Sequence, residues 1–296
     1  MTAIADHRPV SPARVAALTG NTLTELVRLK VFHFLLIFAL LLIGTSLFMA
    51  QLSFQQEFQV LKDVSLGAMS IFTSILAIVA TAQLIPRDVE DRTIYTILAK
   101  PVPRYEYLVG KLAGVLLLLA LSVLAMSALF FAVLFLREQM LISATLRETV
   151  GLSPEQTRAA IRSLEASAFS ASLLPGIVII FLKAALLASL TLFISTFATS
   201  NIFTVVVMVI IYFIGHLQAT AREYWLQEHG GGFFARMFLA LVALAFPDLQ
   251  LFNLVDDIVA GTAIPMTLFA QTAVLGVVYT LVYLFFAWVS FHGREL

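Results

Sequence analysis

The chain has 296 residues, of which 60% are apolar (AVILMFWYC) and 12% charged, with eighteen basic residues balancing eighteen acidic ones. Counting the 14 glycines raises the apolar share to about 65%, against roughly 45–50% in a soluble domain, so too little polar surface remains to cover a water-soluble fold. The balanced charge excludes a basic nucleic-acid binder, the apolar content a disordered chain, and the absence of cysteine excludes disulfides, thiolate zinc sites and thiol catalysis.

These properties predict an all-α polytopic membrane protein, a single domain over residues 1–296 embedded in a lipid bilayer. A crossing helix needs about 20 mostly apolar residues to span ~30 Å of hydrocarbon. Residues 11–30 come first: Leu23, Leu26, Val27 and Lys30 recur at helical spacing after Asn21, which serves as an N-cap. With Arg28 and Lys30 beside the apolar stripe, this segment predicts an amphipathic helix on the membrane surface. The alternative is a polar extension of the first span.

Span one is 31–52. It sits behind about 30 residues of polar leader and carries Phe48-Met49-Ala50 where a signal peptide needs small residues. Span two is 66–85. The loop 86–107 follows and holds the densest charge in the chain, Arg87, Asp88, Glu90, Asp91 and Arg92. Ile94, Ile97 and Leu98 then form a short apolar stripe, and Pro101 and Pro103 stop the helix. A short amphipathic helix with a charged end, held at the membrane by two spans, suits docking into a groove of a soluble partner. A charged connector that anchors two spans at the headgroups has the same pattern.

Span three, 108–136, is long enough to tilt or project. The loop 137–172 contains a helix start at Leu152-Ser153-Pro154-Glu155 and a charged helix to about Ala168. Span four is 173–197 and holds Lys183, the one formal charge deep in a span. Such a residue is either functional, on a translocation path, or close enough to the outer headgroups to snorkel, and the second reading is preferred. Gln83, Ser189, Thr191, Ser195 and Thr196 are expected to join helices. Span five is 202–218, and His216 near its end is expected to be an interfacial histidine. Gly230-Gly231-Gly232 is a hinge. The run 233–247 is too short to cross and is expected to be re-entrant or interfacial. Span six is 266–291.

Lys and Arg placement sets orientation. Arg8, Arg14, Arg28, Lys30, Arg87, Arg92, Lys100, Arg104, Lys111 and Arg294 fall on one side. Lys62, Arg137, Arg147, Arg158, Arg162, Arg222 and Arg236 fall on the other, four of them in the long loop where the bias counts less. Both termini are therefore expected in the cytoplasm, in a cytoplasmic (inner) membrane.

The stretch from Asp88 to Lys111 resembles the signature loop of ABC-2 type transporter permeases. The matching residues are Asp88, Glu90, Asp91, Thr93, Leu98, Pro101, Val102, Arg104, Gly110 and Lys111. The layout of the whole chain is similar too, and Phe246-Pro247-Asp248-Leu249-Gln250-Leu251-Phe252-Asn253 looks like the family's proline-containing stretch before the last span. Within the family the chain looks most like permeases linked to multi-copper enzyme maturation. Arg92 stands where a glycine usually precedes the threonine, and Thr199-Ser200-Asn201 lacks the usual basic residue.

The resemblance implies a permease, exporting in direction, that pairs with a second copy or a paralogue and docks a cytoplasmic ABC ATPase. The docking residues it implies are Asp88, Glu90, Asp91, Arg92, Thr93, Ile94, Leu98, Pro101 and Arg104. ATP and Mg would be bound by that ATPase, with no cofactor or metal in this chain and no catalysis by it. The only Gly-Lys, Gly110-Lys111, precedes leucine and has no glycine five residues before it, so no phosphate-binding loop is present. An ion-coupled secondary transporter is disfavoured because the spans contain no acidic residue. A membrane protease is disfavoured because His33 and His216 are isolated. A non-transporting assembly or anchor subunit remains a third reading.

Overall fold

A computed structural model describes residues 11–51, 57–91, 103–148, 154–228, 237 and 246–293. Among these the chain is helical, without strands. We number the helices α1 (Pro12–Val27), α2 (Lys30–Gln51), α3 (Glu57–Ala82), α4 (Leu84–Glu90), α5 (Arg104–Glu148), α6 (Pro154–Ala168), α7 (Leu173–Phe197), α8 (Asn201–Glu228), α9 (Val255–Val259) and α10 (Met266–His292). A 3-10 turn, Leu249–Phe252, precedes α9. Among the described residues, six helical segments are long and apolar enough to cross a membrane: α2, α3 with α4, α5, α7, α8 and α10.

Their apolarity alone does not say which faces meet lipid. Burial does. α7 is the axial element: most of its residues are buried, against α3, α5, α8 and especially α10. α2, α8 and α10 are peripheral, and present Phe34, Ile37, Phe213, Val274, Leu281 and Phe285 outward. In water that would be a large aggregation-prone surface, whereas in a bilayer it is the contact with acyl chains.

Several boundaries differ from those expected. α1 begins at Pro12, with proline inside the first turn, rather than at Asn21, and ends at Val27 before a short break at Arg28 and Leu29. It does not simply rest on a membrane surface. Its buried residues are Thr19, Thr22 and Leu26, and that face packs against the first turns of α5. α5 has 45 residues, about 68 Å at 1.5 Å per residue, twice the hydrocarbon thickness. The loop 137–172 therefore begins as a continuation of span three. α3 starts nine residues before the apolar run that marks it, and the helix breaks at Gln83, whose side chain bonds only its own turn at Val79.

Small residues set the α1–α5 distance. A Cβ on Gly114 would lie 2.6 Å from Thr22 Cβ and 3.1 Å from the Thr19 carbonyl oxygen. One on Gly110 would lie 2.6 Å from Leu18 Cβ. The Thr19 hydroxyl then reaches the Gly110 carbonyl at 3.3 Å. Most hydroxyls of α7 behave differently from expectation. Ser189, Thr191 and Ser195 bond back to carbonyls of their own helix, and Thr196 crosses to Ser290 of α10 at 3.0 Å.

The contact at Gly114 is therefore a sharp test of the α1–α5 seam. Gly114→Ala should cost about 1–3 kcal/mol, because the opposing atoms lie on or next to backbone. Gly20→Ala on the open face of α1, where nothing lies within 4 Å, should be neutral or stabilising by up to about 1 kcal/mol. Melting temperatures of the purified protein in one detergent compare the two.

Candidate functional site

Of the charged residues singled out in the 86–107 loop, Arg87, Asp88, Glu90 and Asp91 lie together at one end of the bundle. Span two continues through α4, where Leu84, Ile85 and Pro86 are buried. This seats the short helix against the other elements and leaves Arg87, Glu90 and Asp91 exposed. Asp88 points the other way. Its carboxylate is within 2.7 Å of the Lys111 ammonium and accepts a 2.5 Å hydrogen bond from the Tyr107 hydroxyl. All three residues are buried. An ammonium and a carboxylate out of water each need a partner, and here each is the other's.

Glu25 of α1 widens the pair into a joint. Its carboxylate lies 3.7 Å from Lys111 and 3.5 Å from Arg87, and Arg87 also faces Asp91 at 3.6 Å. A cleft of about 410 Å³ is lined here by Glu25 of α1, Arg28 just past its end, Arg87 of α4 and Lys111 of α5, among others. Beside it, Glu106 is wholly buried. It accepts from Arg14 Nε at 2.7 Å, Arg14 Nη2 at 2.8 Å and the Ser11 amide at 2.9 Å. This fork-to-fork pair carries direction as well as charge, and the hydrogen bonds to Glu106 raise the Arg14 pKa above its ordinary value.

Arg104 closes the arrangement. Its Nη1 donates to the carbonyls of Phe291 at 3.0 Å and His292 at 2.6 Å, where the last turn of α10 has no intrahelical donors left. Tyr107 stacks on Phe291 at 5.7 Å between centroids. One end of the bundle thus joins α1, α4, α5 and α10 through side-chain bonds.

Of the nine residues predicted to dock a partner, Glu90 and Asp91 are exposed, Asp88 is internal, and Arg104 binds the end of α10. Arg92, Thr93, Ile94, Leu98 and Pro101 lie outside the described residues, as do Val102, the Ser153 cap, Gly230-Gly231-Gly232 and most of 233–247. Sequence reasoning missed the roles of Arg14, Glu25 and Glu106. Their partners lie 92, 62–86 and 92 positions away, and no local pattern reports such a distance.

The deep lysine also sits differently from expectation. Lys183 is only 2% exposed and does not snorkel to a headgroup surface. Its Nζ lies 3.1 Å from Ser70 Oγ on α3 and 3.2 Å from His216 Nε2 on α8, with the Tyr212 ring 5.7 Å away. His216 is therefore not isolated. Its Nδ1 faces the Tyr212 carbonyl at 3.0 Å, so the proton belongs on Nδ1 and Nε2 accepts from the ammonium. The reason is the axial position of α7, which puts this face against α3 and α8 instead of lipid.

The buried pair predicts an asymmetric mutational result. Lys111→Met removes the cation 2.7 Å from the buried Asp88 carboxylate and should destabilise by about 3–5 kcal/mol. The double variant Asp88→Asn/Lys111→Met should recover most of that loss. Thermal melts of the four proteins of the cycle measure the coupling.

A search of curated proteins finds no match to the chain. A protein-family model described as "ABC-2 family transporter protein" matches residues 16–296. The match runs from α1 through all six membrane-crossing segments to the C-terminus, and the chain belongs to the ABC-2 family of transporter proteins as a multi-pass membrane component.

Proposed function

We propose that this chain is the permease subunit of an ATP-driven exporter, and that a separate cytoplasmic ABC ATPase docks on the end of the bundle carrying α4. In this reading the protein lies in the cytoplasmic membrane with both termini inside and works as a pair, with a second copy or a paralogue. The ATPase supplies the ATP and Mg sites. We place it beside the permeases linked to multi-copper enzyme maturation, on the resemblance of residues 88–111 and 246–253.

The observation that carries the reading is the two-sided build of α4. One side is cemented by Leu84, Ile85, Pro86 and the Asp88–Lys111 pair, while Glu90 and Asp91 face outward. A push on the outer side cannot be absorbed locally. It passes through Asp88 to Lys111 and Tyr107 of α5, through Arg87 to Glu25 of α1, and through Tyr107 and Phe291 to α10. Motion of the ATPase would thus move span three, the last span and α1 as a body, the rigid-element switching common in transporters.

The docking residues in this reading are Glu90 and Asp91 together with Arg92, Thr93, Ile94, Leu98 and Pro101. Asp88 and Arg104 position the element from inside. Lys183, held between α3, α7 and α8, lies on the translocation path, where its charge is uncovered only when those helices separate.

Two outcomes test this. Glu90→Ala/Asp91→Ala should leave the folded protein's melting temperature within about 1 kcal/mol equivalent of wild type, yet abolish stimulation of ATP hydrolysis when the ATPase is co-reconstituted with it. Unchanged coupling would assign docking elsewhere. Lys183→Cys should resist a water-soluble thiol reagent at rest and become reactive during ATP turnover. Equal protection in both conditions would remove Lys183 from the path.

A further inference from the structure

The end of the bundle opposite α4 holds a cavity of about 490 Å³, between the first turns of α3, the extension of α5, α6 and the α9 turn. Phe58, Leu141, Leu164 and Val259 give its lining an apolar part, and Lys62 and Ser170 a polar part.

Lys62 is 4% exposed, and its ammonium makes one hydrogen bond, to the Ser167 carbonyl at 2.8 Å. An ammonium has three donors, and among the described residues Lys62 has no carboxylate partner. Glu57 also lines the cavity, but its carboxylate is bound by Arg137, with Nε at 2.9 Å and Nη2 closer still. That pair cancels, so the cavity keeps one uncompensated positive charge. The Ser170 hydroxyl, also in the lining, is buried without a hydrogen-bond partner. Two buried groups with hydrogen-bonding capacity to spare, in one cavity, can be satisfied by one polar ligand head.

We propose that this cavity binds an organic monoanion with an apolar body, its carboxylate or phosphodiester head on Lys62 and Ser170. The volume is that of a small-molecule site. A dianion has no second cation to meet, because Arg137 is committed to Glu57. A neutral apolar molecule would leave Lys62 and Ser170 as unsatisfied as before. An ATPase on α4 plays no part in the argument, so the site stands or falls independently of the proposed coupling.

The test uses the full-length protein in phosphatidylcholine nanodiscs and a photoreactive hexanoate carrying a diazirine. Peptide mapping should place saturable label on residues 57–62, 141, 164–170 and 259–261. Lys62→Met should reduce that label at least about tenfold, the scale of a lost hydrogen-bonded charge. Lys62→Arg should retain it, and Ser170→Ala should lower it about three- to tenfold. The matched photoreactive hexanol should not label the cavity. Suppression of hexanoate labelling in nanodiscs containing phosphatidylglycerol would identify a lipid headgroup as the occupant, and retention would identify a free solute. Labelling unchanged in Lys62→Met, or equal with hexanol, overturns the proposal. Should Lys62→Met fail to fold, Ser170→Ala and the hexanol comparison decide.

Discussion

The contact between the Lys111 ammonium and the Asp88 carboxylate organises the end of the molecule that carries α4. Each charge sits where water is excluded, so neither can remain without the other. That requirement fixes the aim of α4. With Asp88 turned inward, helical geometry turns Glu90 outward, since the residue two along lies on another face, and Asp91 is exposed just past the end of α4. The outward Glu90 is thus a consequence of the buried Asp88. The same ammonium draws in Glu25 of α1, and the Tyr107 hydroxyl adds a neutral donor that a carboxylate with two oxygens can still accept.

A second constraint acts through size. α1 carries Thr19 and Thr22 toward α5, and only glycine at 110 and 114 lets it come close enough for Glu25 to reach Lys111 and for Arg14 to reach Glu106. Packing and electrostatics are therefore not separable here. The glycines set the distance at which the ion pairs close, and the ion pairs give the seam its register. In a membrane, where apolar packing between helices gains little over contact with lipid, small residues and satisfied polar contacts are the forces available.

Much of this was legible in the amino-acid order, for a reason that also marks where legibility ends. The crossing helices follow from the bilayer's demand for about 20 apolar residues, a local property that α7 and α10 show almost residue for residue. The charge cluster at Arg87–Asp91 was equally visible. Its division into an inward Asp88 and outward Glu90 and Asp91 was not, because that depends on Lys111 and Tyr107 beyond a proline-rich stretch. Arg104 illustrates the same limit. Its position at the start of span three is apparent, whereas its bonds to the carbonyls of Phe291 and His292 arise from a helix end 187 and 188 residues away.

Lys183 and His216 show how the local rule can mislead. A lysine ten residues into a span, with no acid nearby in sequence, looks as if it must escape toward water. That inference assumes the helix faces lipid. α7 faces other helices on nearly every side, so a serine of α3 and a histidine of α8 were available as partners, one 113 and the other 33 residues distant. Neutral acceptors stabilise an ammonium less than a carboxylate would, and they commit it less firmly. A carboxylate would hold α3, α7 and α8 together with a cost of separation that a transport cycle would have to repay at every turn. A serine and a neutral imidazole bind the same charge at ordinary hydrogen-bond strength. Separating the three helices would then cost less than breaking an ion pair.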